Sequence, residues 1–244
     1  MKKLLPLLFL LLTSPSFAYI GTYDSFLMAN ASSTTFYNDT YIDALASGTT
    51  KGGLGLSVQT SSREPTLDDV SILNFDVSSI PTTFTILSAS IELTTSAAAN
   101  ASNLGLYKLV RGDWVEDQAT WTNYKTATAW STAGARNPTL DIFGTWTTGA
   151  DALSVVSLSI GRAIGSKVTF PSTTQLANHV KNNLGGKVNF AIHAYNDQNN
   201  VQTFYDTENA TLANRPRLVI TYTSPVPTDN YKTYYTRTGG GTPP

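Results

Sequence analysis

A chain of 244 residues with 16 basic and 17 acidic side chains is close to neutral, and it has no cysteine. The lack of a basic excess argues against a nucleic-acid binder, and the missing thiols exclude disulfides, thiolate metal sites and a cysteine nucleophile. Charged residues make up only 14% of the chain, while Thr, Ser, Val, Ile and Tyr are plentiful. Those side chains suit a pleated, half-buried surface, so the expectation is an all-β protein.

The chain opens MKKLLPLLFLLLTSPSFA. Lys2 and Lys3 form a basic start, Leu4 to Leu12 are apolar except for Pro6, and Ser16 and Ala18 are small. This pattern predicts a secretory signal over 1–18, too short in its apolar part to span a bilayer. With the two leader lysines gone, the mature net charge falls to about −3. The expected product is secreted or held at the cell surface, with no transmembrane segment.

Residues 19–35 are small and polar and read as a lead-in. FYNDTYI (36–42) is the first firm strand, and LGLSVQT (54–60) follows a Gly-Gly turn. DVSILNFDV (69–77) is apolar on both faces, as a strand buried on both sides should be, and SSIP ends it, since Pro81 cannot donate to a ladder. In TILSASIEL, Leu87, Ala89, Ile91 and Leu93 alternate with Ser88, Ser90 and Glu92, which predicts one face on the core. NLGLYKLV (103–110) is another strand. The stretch 111–150 has aromatics but little periodicity and reads as long loops with short strands. LSVVSLSI (153–160) and KVTF (167–170) are strands.

Ser172 and Gln175 fit a capping box ahead of an apolar stripe of Leu176, Ala177, Val180 and Leu184, ended by Gly185-Gly186. This is the one predicted helix. KVNFAIHAY, VQTFYD (201–206) and RLVITYT (217–223) complete the strands, the first with Val188, Phe190, Ile192 and Ala194 on one face. The whole predicts a β-sandwich of the jelly-roll kind over 19–223. From Ser224 the Pro- and Gly-rich stretch 224–244 reads as a flexible tail or linker.

Five segments in this order resemble the DNRLRE-type domain, also classed as a family 96-type carbohydrate-binding module. They are DTYI (39–42), ILNFDVSSIP (72–81), ILSASIEL (86–93), the group Trp114, Glu116, Thr120 and Trp121, and YDTENATLANRPRLVITY (205–222). The chain lacks the hexapeptide that names the family, and Asn74 stands at a strand position often held by arginine. The resemblance covers roughly 36–223. It implies an exported jelly-roll sandwich, accessory to polysaccharide handling or cell-surface architecture.

Candidate sites are few. RGDWVEDQATWTNY (111–124) invites four readings: a carboxylate pair, a sugar platform on Trp114 or Trp121, an adhesion tripeptide, or a packed corner in which Glu116 accepts hydrogen bonds from loop amides. The packed corner is favoured, because a buried indole removes a large apolar area from water. Catalysis by Asp113, Glu116 and Asp117 needs two carboxylates about 5–10 Å apart across a cleft, which a spacing of three does not supply. His179 and His193 read as surface histidines, although Tyr195 near His193 leaves Tyr-His lyase chemistry open. An acidic glycan would want an aromatic beside a guanidinium, which singles out Tyr124, Trp130 and Arg136 as ligand-binding candidates.

Asp197, Asn199, Asn200, Asp206 and Glu208 offer hard oxygens, the ligands of one structural calcium ion, with Asp39 and Asp43 as weaker contributors. The plain alternative is a polar turn. The leading expectation is therefore a non-catalytic module with polysaccharide, acidic polymers included, as partner. The alternative is a structural surface, fibre or virion protein, with exposed edge strands as its signature. A polysaccharide-degrading enzyme comes third, without a catalytic signature.

Overall fold

The computed structural model describes residues 19–25, 37–60, 68–97, 101–145, 149–160, 162–195 and 200–224. The leader 1–18 and almost all of the predicted tail lie outside them. The strands are β1 (Tyr19–Asp24), β2 (Tyr37–Asp43), β3 (Leu56–Thr60), β4 (Asp69–Asp76), β5 (Thr85–Thr94), β6 (Ser102–Lys108), β7 (Asn123–Lys125), β8 (Thr128–Ala129), β9 (Ser154–Leu158), β10 (Lys167–Phe170), β11 (Lys187–Ala194), β12 (Asn200–Phe204) and β13 (Arg217–Ser224). One α-helix, α1 (Thr174–Lys181), and a 3-10 turn at Leu212–Asn214 complete the named elements. No described helix is long and apolar enough to cross a membrane.

One sheet runs β1-β13-β5-β10, and the other runs β12-β3-β4-β11-β6-β9 with β2 also paired to β4. All pairings are antiparallel. The chain passes from β4 to β5 to β6, and from β9 to β10 to β11, crossing between the sheets at each step. This winding is a jelly roll, so the sandwich and its topology are as the strand pattern predicts.

The main core lies between the sheets. Leu73 and Phe75 of β4, Ile91 and Leu93 of β5, Leu104 and Leu106 of β6, Val188, Phe190 and Ile192 of β11 and Leu218, Ile220 and Tyr222 of β13 are all buried there. Each set alternates along its strand, as a pleat with one face inward requires. Phe75 and Phe190 meet edge to face at 6.2 Å, and Phe84 and Tyr222 pack at 5.0 Å.

Three local expectations are corrected. Residues 19–24 are not a lead-in but a strand, β1, whose Tyr19 to Asp24 pair with Ser224 to Val219 at the sheet edge. Leu87 does not face the core: it is 50% exposed, and the β5–β13 register slips between Thr221 and Tyr222. One extra residue in a ladder turns the side chains beyond it over, so Ile86 packs inward in its place. The helix is capped by Thr173, whose Oγ1 accepts from Leu176 N at 3.0 Å, while Ser172 Oγ accepts from the Ala89 amide.

Candidate functional site

The stretch 109–145 lies on the outer face of the second sheet and makes a second core there. Val70 and Ile72 of β4, Tyr107 of β6 and Ala191 of β11 supply the sheet side of it. Leu109, Trp114, Ala119, Trp121, Tyr124, Trp130, Ala135 and Ile142 supply the cover. This explains why β4 is apolar on both faces. Each buried indole removes roughly 150–250 Å² from water, a gross gain of about 4–6 kcal/mol. These gains offset part of the conformational entropy lost in ordering a segment with little regular structure.

Polar groups then fix the cover. Trp114 Nε1 donates to Asn189 Oδ1 at 3.2 Å, and Trp130 Nε1 donates to the Thr120 carbonyl at 2.9 Å. Asp141, fully buried, accepts from the amides of Ser131 (3.1 Å), Thr132 (2.9 Å) and Asn137 (3.4 Å), with the Arg111 guanidinium at 3.7 Å. Gly134 has φ +78°, and a Cβ there would stand 2.5 Å from the Trp121 ring, so both the turn and the close approach call for glycine.

The ligand surface expected at Tyr124, Trp130 and Arg136 is corrected by this burial. Tyr124 is 6% exposed and Trp130 4%, with their rings packed on each other at 5.6 Å. Arg136 pairs with buried Asp68, and its guanidinium lies 5.3 Å from the Trp121 ring centre. An aromatic ring must be open to stack on a sugar, and these are not. Trp114 and Trp121 are buried as well, so neither is a platform. In the tripeptide, Asp113 is tied to Lys125 at 2.8 Å and Arg111 to Ser131 Oγ at 3.1 Å.

The chemistry sought at those three residues occurs at another place. Leu109 and Ile142 form an isolated bridge and point inward, and the Phe143 amide donates to the Lys108 carbonyl at 2.9 Å. Phe143 projects outward, 55% exposed, with Lys108 Nζ 5.6 Å from its ring centre. Val110 and Leu140 are exposed on the same bridged segments. No periodicity marks Phe143 in the sequence, because its orientation comes from a single bridge.

Both histidines are buried, against expectation. His179 Nε2 contacts the Asn189 carbonyl at 2.9 Å and its ring meets Phe190 edge on at 5.2 Å. Burial pushes its pKa down to about 4. His193 is 1% exposed beneath the cover, with Nε2 3.9 Å from Asp68. Neither stands at a surface where a substrate could reach it.

Of the expected calcium ligands, Asp197 and Asn199 lie outside the described residues. Asp206 and Glu208 are described, on the turn after β12, where Asp206 Oδ2 accepts from the Gly55 amide at 3.0 Å and Glu208 Oε1 from Thr207 Oγ1 at 2.8 Å. Asn200 donates to the Ala101 carbonyl, and Asp43 pairs with Lys51 at 3.0 Å, so neither joins them.

What does join Glu208 is Asp39 of β2 and Glu116 of the corner: one carboxylate oxygen from each lies within 4.8 Å of the other two. Asp39 is 1% exposed; its Oδ2 accepts from the Thr207 amide at 2.9 Å, and its Oδ1 has no hydrogen-bond partner. Burial first, then Glu208, Glu116 and Asp206, hold its carboxyl well above the usual carboxylate range. Glu116 accepts from the Asp39 amide and is pushed up to about 7, by burial and then by Glu208 and Asp117. Residues 39, 116 and 208 have no local spacing in common. Their only shared mark in the sequence is that each falls in a segment that carries the family resemblance.

Comparison with known proteins yields little. No family model matches the chain. No curated protein matches it either. A solved structure of the cleaved adhesin domain of Lys-gingipain from Porphyromonas gingivalis aligns over 84% of this chain and 89% of its own, with 10% identity and a TM-score of 0.24.

Proposed function

We propose that this chain is a non-catalytic polysaccharide-binding module working outside the cell, of the DNRLRE kind that its segment order resembles. The observation that carries the reading is the open Phe143 ring with the Lys108 ammonium 5.6 Å from its centre. A flat ring offers stacking to the C–H face of a sugar, and the ammonium offers a charge-assisted bond to a uronate or sulfate. Val110 and Leu140 extend the apolar surface beside it. The ligand class is therefore an acidic polysaccharide.

Affinity electrophoresis of the full chain against neutral and acidic polysaccharides tests this. An acidic polymer should retard the native protein. Phe143→Ala should weaken retardation about tenfold, the loss of roughly 1–1.5 kcal/mol of stacking, with the melting temperature nearly unchanged because the side chain is exposed. Lys108→Ala should weaken binding to acidic polymers and restore none to neutral ones. Retardation equal in native protein and Phe143→Ala would remove this surface from the reading.

A second reading has its own observation. Among the described residues β1 is a sheet-edge strand, and its Tyr19 and Ile20 are 51% and 63% exposed. Such an edge can pair with another chain, as a surface or fibre protein would require. If no polymer retards the folded protein and size exclusion shows higher-order species, assembly replaces binding.

A further inference from the structure

We infer that Asp39, Glu116 and Glu208 together hold one calcium ion, independently of the Phe143 surface. The three carboxylates come from β2, from the corner at the start of the cover and from the turn after β12, segments far apart in the chain. An acidic cluster alone would be a solvated rim. This one is not, because Asp39 is buried and its Oδ1 has no hydrogen-bond partner. A buried oxygen of this kind is costly unless a cation or a proton meets it. Asp117 and Asp206 add further negative charge beside the three. Among the described residues no Lys or Arg pairs with any of the five.

The ligand type selects a hard cation, and the spacing admits calcium. All-oxygen donors suit a hard cation and disfavour zinc or copper. Calcium contacts oxygen at about 2.3–2.6 Å, so two ligands on opposite sides of it lie up to about 5 Å apart. The separations here, within 4.8 Å, fall inside that span. Magnesium, at about 2.0–2.1 Å, brings opposite ligands to about 4 Å and holds its water tightly. Glu208 is exposed and Glu116 half-buried, so solvent reaches the site, while Asp39 is buried. Bound there, calcium would tie the cover to β2 and to the β12 turn.

Calorimetry and thermal melts of the full chain test the site, after treatment with chelator. At about 10 mM calcium chloride, saturating for an extracellular site, the melting temperature should rise by about 5–10 °C, with close to one ion bound per chain. Glu208→Gln, an exposed change, should leave the metal-free melting temperature within a degree or two and weaken calcium binding at least tenfold. Asp39→Asn should abolish the calcium-dependent rise, and its metal-free form should melt no lower than metal-free wild type, since it removes a buried carboxylate crowded by Glu208 and Glu116. No heat and no shift in wild type, or calcium binding unchanged in both variants, would overturn the site. An equal shift from magnesium would overturn calcium as its ion.

Discussion

His179 shows how burial turns a titratable side chain into a packing element with a pH signature. Its Nε2–H faces the Asn189 carbonyl, its Nδ1 lies 3.4 Å from Asn183 Nδ2, and Lys108 disfavours a further positive charge. The neutral ring is therefore the folded form down to about pH 4. An unfolded histidine takes up its proton near pH 6.5, so between those values the unfolded state binds more protons. The stability that the histidine contributes should fall as pH drops from about 6.5 to about 4 and level off below. The loss is about 3 kcal/mol. Asp69 works the other way: burial pushes it up to about 6, so acidification relieves its cost over much the same window. The contribution of the histidine is read by comparing denaturant stability at pH 7 and pH 4.5 in wild type and His179→Gln. Wild type should lose about 2–3 kcal/mol more than the variant. Identical slopes would mean that the buried ring titrates normally.

At the scale of elements, the segment 109–145 is the part that strand patterns describe least. It has only the short hairpin of β7 and β8, and it is held by indoles below and by Asp141 within. Asp141→Ala would leave the amides of Ser131, Thr132 and Asn137 without their acceptor and Arg111 without its nearby anion. The expected cost is about 3 kcal/mol. Hydrogen exchange should show it first over 130–142, with β4 and β11 still protected. Uniform loss of protection would mean that the carboxylate supports the sheets rather than the cover.

For the molecule as a whole, the two cores are not separate bodies. β4, β6 and β11 give one face to each core, so loss of the cover bares the back of the sheet that holds the main core. Tryptophan fluorescence reports the second core through Trp114, Trp121 and Trp130, while far-ultraviolet circular dichroism reports the sheets. Their unfolding transitions should coincide. A fluorescence change well before the loss of sheet signal would show that the cover unfolds on its own.

Strand periodicity is a local property, and it was readable: β4, β5, β11 and β13 stand where alternating or continuous apolar runs placed them, and the single helix stands where its stripe began. The jelly-roll class came from their number and spacing. What depends on contacts between distant residues was not readable. Leu87 alternates correctly and still faces out, because a register slip against β13 decides its side. Tyr124, Trp130 and Arg136 have the right chemistry for a sugar, but the sheet behind them takes that surface for a second core. Phe143 is left open by one bridge. Asp39, Glu116 and Glu208 meet only because β2, the corner and the β12 turn end at the same place. By itself the chain determined which segments pair and which faces seek burial, since both depend on side-chain order along a strand. The tertiary structure alone decided which aromatics were consumed in packing and which carboxylates converged, because burial and convergence belong to elements brought together from across the chain.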